Sequence, residues 1–203
     1  MIKEKDNNTE LNILNAAKKV FQKKGMDGAR MQEIANEASI NKALLHYYFR
    51  SKQMLFDAVF KSAFELLAPQ LNKILNGDSS LEDKIKDFSH NYITFISKHP
   101  YIPNFVIQEI NRNPEFILKI KGSIGFPNLE VFKKQVDNDV KNGLIQSISA
   151  EQLFINILSL NVFPFIGSPL IKSIVNINDT HFKELIEERK THVANFIINS
   201  IKV

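Results

Sequence analysis

Residues 31–49 read Met31-Gln32-Glu33-Ile34-Ala35-Asn36-Glu37-Ala38-Ser39-Ile40-Asn41-Lys42-Ala43-Leu44-Leu45-His46-Tyr47-Tyr48-Phe49. Met31, Ile34, Ala35 and Ala38 recur at three- and four-residue spacing, which puts them on one apolar face over about two helical turns. Ser39-Ile40-Asn41 breaks that period, and Asn41 is suited to cap a second helix from Lys42 to about Tyr48. On this second helix Leu45 and Phe49 share a face and are expected to pack inward. Two short helices around a three-residue turn make a helix-turn-helix, a unit that lays its second helix in a DNA major groove.

The outward residues of that second helix carry suitable chemistry. Lys42 can donate to guanine or phosphate, and Ala43 can approach a thymine methyl. His46 and Tyr47 offer donors and flat apolar surface to base edges and sugars, while Tyr48 and Lys52 suit phosphate oxygens. The amide ends of helices starting near Lys42 and Lys52 add partial positive charge toward phosphates.

The run from Phe21 to Leu55, with Gly25-Met26-Asp27, Ile34-Ala35, Ala38-Ser39-Ile40-Asn41-Lys42-Ala43-Leu44-Leu45-His46-Tyr47-Tyr48-Phe49 and Ser51-Lys52, resembles the DNA-binding domain of the TetR family of bacterial transcriptional repressors. The resemblance covers about a quarter of the chain. It implies that Lys42, Ala43, His46 and Tyr47 face bases or sugars, that Tyr48 and Lys52 hold phosphates, and that the remaining helices bind a ligand and dimerise. Four positions depart from the family pattern. Ala29 with Arg30 stands where a hydroxyl residue usually opens the second helix, Ser39 replaces the turn glycine, Ala43 replaces a glycine, and Leu44 replaces Thr or Ser. Arg30 is expected to substitute charge for one hydroxyl contact, and Leu44 either reads a methyl or packs.

Charge agrees with a nucleic-acid-facing N-terminus. Of 203 residues, the first 55 hold ten Lys and Arg against six Asp and Glu, so the whole excess of +4 lies there. The other 148 residues are neutral, with sixteen of each sign. That asymmetry suggests an N-terminal module that meets a polyanion, joined to a larger part with another task. Apolar residues at 44%, few Gly and Pro, and Leu, Ile and Phe in excess over β-formers favour an all-α protein.

Around the motif, a first helix is predicted from about Thr9 to Lys24 and stopped by Gly25, with Ile13, Leu14, Ala17, Val20 and Phe21 on its buried stripe. Ser51 caps a long helix that runs to Asn76-Gly77 and is bent by Pro69. Further helices are read at 81–98, 103–112, 115–121, 127–142, 150–166 and 180–201, with breakers between them that include Gly167-Ser168-Pro169. Residues 1–51 are therefore read as a three-helix DNA-binding domain and residues 52–203 as a helical regulatory domain.

With no Cys there is no disulfide framework and no thiolate chemistry. The five histidines have no metal-ligand spacing, and no acyl-transfer or nucleotide-binding motif is present, so neither an enzyme, a metal nor a cofactor is expected. The polar start, Met1 to Asn8, lacks an apolar signal segment, so the expected address is cytoplasmic. Leu153–Ile171 has 19 residues without a formal charge, but its two Asn and two Pro fit a buried helix better than a membrane span.

In the regulatory part, Tyr92, Phe105, Gln108 and Phe132 are the candidate lining of an apolar effector cavity. Leu153, Ile157, Leu160, Val193, Phe196 and Ile197, on the helices at 150–166 and 180–201, are the candidate homodimer interface. The expected function is a ligand-released homodimeric repressor on palindromic double-stranded operator DNA. Competing readings are a helical small-molecule-binding protein without specific DNA recognition, which would show no salt-dependent duplex affinity, and an architectural binder indifferent to sequence.

Overall fold

The structure is a computed structural model that describes residues 2–100, 102–112, 115 and 128–203. Among the described residues run ten helices and no strand: α1 (Ile2–Gly28), α2 (Met31–Glu37), α3 (Lys42–Tyr48), α4 (Lys52–Asn76), α5 (Leu81–Lys98), α6 (Ile102–Arg112), α7 (Glu130–Lys141), α8 (Ala150–Ile166), α9 (Ser168–Val175) and α10 (Asp179–Ile201). The helix read at 115–121 lies outside the described residues. The chain forms two compact units, Met1–Glu65 and Leu66–Val203, and the division falls within α4. The sequence reading set its boundary at 51/52, where α4 begins.

Side-chain caps set several helix starts. Asn41, Ser80, Ser149 and Asn178 each accept a backbone N–H from the residue three positions on, at Leu44, Asp83, Gln152 and His181. These bonds satisfy amides that have no partner inside the helix. α1 extends further toward the N-terminus than the expected Thr9 start. Gly25, at φ 65, supplies the left-handed step that interrupts it near its end.

In the first unit, Ile13, Ala17 and Phe21 of α1, Ile34, Ala35 and Ala38 of the α2 segment, and Leu55, Phe56 and Val59 of α4 are all buried. Phe21 meets Phe56 edge to face with ring centroids 5.3 Å apart. Small Ala side chains on α1 and α2 let the two helices pack closely.

The second unit is organised on α5 and α8. α5 packs on α8 and α10, and α8 also meets α6, α7, α9 and α10. The α5 stripe of Leu81, Ile85, Phe88, Tyr92, Ile93 and Ile96 is buried. Several polar groups inside this core are tied, while Asn161 Oδ1 and Thr94 Oγ1 have no partner among the described residues. Asn161 donates to Ser89 Oγ at 3.1 Å and to the Ile157 carbonyl at 2.7 Å. Buried Lys84 donates to Gln135 Oε1, which in turn donates through Nε2 to the Ser79 carbonyl. Burial pushes the Lys84 ammonium below its ordinary pKa, opposed by the charges of Asp78 and Asp139.

One further feature differs from the sequence reading. Gly167-Ser168-Pro169 is expected only as a break, and Gly167 does end α8, yet a further helix, α9, starts at Ser168. Proline is accepted in a first helical turn, where its missing N–H has no partner to lose, and α9 ends at Asn176 in the left-handed conformation. The uncharged stretch is thus two helices bent by 75°, and among the described residues no single helix is long and apolar enough to cross a membrane.

Pro164 lies inside α8, within the helix that the sequence reading places at 150–166. It has no N–H to give the Leu160 carbonyl four residues earlier. Arg189 of α10 supplies that donor, with Nε at 3.2 Å and a terminal nitrogen at 2.9 Å from Leu160 O. Arg189→Ala should therefore lower the unfolding free energy by about 1–3 kcal/mol, because a partly buried carbonyl loses its partners. In a Pro164→Ala background the restored helical N–H should shrink that cost, as urea unfolding of the four-member mutant cycle will show. An additive cycle would mean that the guanidinium does not stand in for the proline's missing donor.

Candidate nucleic-acid interface

The geometry of α3 begins with its anchors. Leu45 is fully buried and Phe49 is 6% exposed, so they fix the helix's rotation about its own axis. The opposite face follows from helical geometry. Lys42, Ala43 and His46 are exposed, Leu44 is 37% exposed and Tyr47 is 76% exposed. Tyr48 is half-buried and meets Tyr47 edge to face, with centroids 5.3 Å apart. A reading of Tyr47 as a core aromatic is excluded by its exposure.

The turn that presents α3 is a Schellman arrangement. Ile40 N–H donates to the Ala35 carbonyl and Ser39 N–H to the Asn36 carbonyl, both at 3.0 Å. This closure needs a left-handed residue, and Ser39 adopts φ 56 where glycine is the easier choice. Asn41 then caps α3 through Leu44 N–H at 2.8 Å.

α2 is clamped to α1 by ion pairs. Lys19 donates to Glu37 at 2.9 Å and Lys24 to Glu33 at 2.8 Å. Those hydrogen bonds hold both glutamates below the usual carboxylate range. A depressed carboxyl pKa means that the pairs contribute at neutral pH and are lost as pH falls through the lowered values. The same pairing removes two lysines of the basic segment from the charge available to a polyanion.

Two further cations of this unit are exposed. Arg30 is exposed at the N-cap position of α2, and its side chain makes no capping hydrogen bond. Arg50, which the sequence reading did not select, is also exposed, and its carbonyl lies 3.4 Å from His46 Nδ1. Its position just after the inward Phe49 was the available signal.

Lys52 is half-buried, and its ammonium donates to the carbonyls of Ala29 at 3.0 Å and Asp27 at 3.2 Å. These bonds tie the first turn of α4 to the α1–α2 connection.

Residues 13–59 match the family model described as bacterial regulatory proteins, tetR family. This N-terminal segment of the chain is thus similar to the DNA-binding region of the TetR family. The HTH-type transcriptional repressor NicS of Pseudomonas putida is 43% identical over 56 residues, 28% of this chain and 26% of that protein. The biofilm-operon HTH-type negative transcriptional regulator IcaR of Staphylococcus aureus is 30% identical over 122 residues, 60% of this chain and 64% of IcaR. The chain thus spans less than two thirds of either relative. Among solved structures, the hemolysin II transcriptional regulator HlyIIR aligns with a TM-score of 0.57 and 27% identity, covering 91% of this chain and 98% of that one. The N-terminal unit of this chain is thus a helix-turn-helix like the one these transcriptional regulators carry.

The regulatory candidates are placed less uniformly. Tyr92 and Phe132 are buried in the core, where Tyr92 stacks on Phe88 at 5.5 Å and Phe132 meets Phe154 edge to face. Burial pushes the Tyr92 phenol well above its ordinary pKa. Gln108 is exposed on α6, and the Phe105 side chain lies outside the described residues. Close packing thus claims Tyr92 and Phe132.

Of the six interface candidates, Leu153, Ile157, Val193 and Ile197 are closed off inside the chain's own core, and Leu160 is half-buried. A side chain covered by its own chain offers no surface to a second copy, which corrects their expected role. Phe196 is 59% exposed, and Ile155 and Phe163 are exposed on the outward side of α8.

Lys52 generates a prediction that needs no DNA. Lys52→Met removes two hydrogen bonds to backbone carbonyls and should cost about 1–2 kcal/mol in thermal or urea unfolding of the free protein. Unchanged stability would show that the two bonds contribute nothing to the fold.

Proposed function

We propose that this regulator is a homodimeric repressor that reads a palindromic operator with α3 of each protomer and lets go when a small, largely apolar effector binds its regulatory unit. The observation that carries the reading is the outward row of α3, Lys42, Ala43, His46 and Tyr47, held outward by buried Leu45 and Phe49. An ammonium, a methyl, an imidazole and a phenol in one row match what base edges in a major groove can accept. Arg30, Tyr48 and Arg50 flank the row and serve phosphates, and Lys52 has a third N–H for the same use. Leu44, partly exposed, presents its methyl groups to a thymine methyl.

One such module touches too few bases for high specificity. Two copies set one helical turn apart, roughly 34–36 Å, read a palindrome. The apolar side chains left outward on α8 and α10, Ile155, Phe163 and Phe196, support a two-fold four-helix interface. The effector acts by binding two states of the dimer unequally. α4 starts in the reading unit and ends in the regulatory one, so a tilt of this helix is the connection by which the two recognition helices lose register.

Selection of bound duplexes from a random pool should return a palindrome. On that operator, Tyr47→Ala and Lys42→Ala should each weaken binding by about 1–3 kcal/mol with the melting temperature unchanged. A folded double mutant with full operator affinity would remove α3 as the reading helix.

Assembly has its own test. Phe196→Glu places a charge in the outward apolar face and should convert dimer to monomer in sedimentation, at a cost of several kcal/mol if the charge is buried unpaired. Operator binding should fall with it, since a monomer presents a single reading head. A charged variant that stays dimeric moves the interface away from α10.

A further inference from the structure

One side chain in the outward row of α3 has a hydrogen-bonding polarity that its residue type leaves open. Neutral imidazole carries one N–H and one bare nitrogen, and the group that takes the proton decides which nitrogen is left for a ligand. For His46 that group is a backbone carbonyl. α3 ends at Tyr48, Phe49 is in extended backbone, and the Arg50 carbonyl falls between α3 and α4. The amides that follow it bond elsewhere: Met54 N–H donates to Ser51 Oγ and Leu55 N–H to the Ser51 carbonyl, both at 3.1 Å. His46 places Nδ1 3.4 Å from the Arg50 carbonyl oxygen. A carbonyl oxygen can only accept, so Nδ1 is the protonated nitrogen of the neutral ring. Nε2, on the other side of an exposed ring, keeps its lone pair.

We infer that His46 reads its base pair as an acceptor, through Nε2, and takes the exocyclic amine of adenine or cytosine on the strand it approaches. This rests on the α3 reading proposed above and gives one operator position a chemical class. In the major groove adenine presents its N6 amine and cytosine its N4 amine, whereas guanine offers N7 and O6 and thymine offers O4, all of them acceptors. A bare nitrogen set against an acceptor gains no hydrogen bond and leaves both lone pairs desolvated, so guanine and thymine are disfavoured there. Lys42, one turn earlier, has the opposite polarity, since an ammonium only donates. The row therefore combines a donor position with an acceptor position.

Two measurements on the full-length protein test this at alkaline pH, where imidazoles are neutral. Long-range proton–nitrogen correlation of the histidine rings, with His46 assigned by its loss in His46→Leu, should show a protonated Nδ1 and a bare Nε2. Duplex selection is then run with the unmutated protein, His46→Leu, Lys42→Ala and Tyr47→Ala. The position whose preference disappears in His46→Leu should be adenine or cytosine for the unmutated protein. Removing that amine alone, with purine for adenine or a pyrimidinone for cytosine, should weaken its binding about five- to tenfold and leave His46→Leu binding unchanged. His46 is exposed, so the variant keeps the fold, which its melting temperature checks. A ring protonated on Nε2, a preference for guanine or thymine at that position, or an equal cost of amine removal in both proteins overturns the acceptor role. Preferences that move in Lys42→Ala and Tyr47→Ala but not in His46→Leu keep α3 as the reading helix and overturn the inference about His46 alone. If none of the three variants moves a preference, the α3 reading fails and this inference fails with it.

Discussion

The burial of Leu45 and Phe49 is the constraint from which the rest of the reading unit follows. A seven-residue helix has no stability of its own, so α3 exists only as far as tertiary packing holds it. With one face sealed by these two side chains, the rotation of α3 is set, and the order Lys42, Ala43, His46, Tyr47 along its outer side is no longer free. The Asn41 cap fixes where the helix starts, and the left-handed Ser39 fixes the angle at which the chain enters it. A contact row to DNA requires positions held to within a fraction of a helical turn, and here that precision comes from apolar burial and two local backbone devices.

Supporting charge is arranged around the same requirement. The basic excess of the N-terminal segment is partly spent within the fold: Lys19 and Lys24 bind α2 glutamates, and Lys52 holds backbone carbonyls. Net charge by segment therefore overstates what faces a polyanion. Surface pairs of this kind contribute little stability individually. Here they join α1 to the positioning helix α2.

The reading unit was legible in the sequence because its signals are local. Asn41 before an apolar period, Gly25 after one, and Leu45 with Phe49 at four-residue spacing each specify structure within a few residues. The regulatory unit resisted for a physical reason: an apolar stripe reports that a face is buried without reporting what buries it. Leu153, Ile157, Val193 and Ile197 form stripes as clear as that of α1, and their own chain covers them. The large apolar residues left exposed there, Ile155, Phe163 and Phe196, are interruptions in those stripes. Pro169 misled in another way, since a proline stops a helix or starts one according to whether its missing N–H had a partner. The Arg189 contact with Leu160 O joins residues 29 apart, and no local pattern announces it.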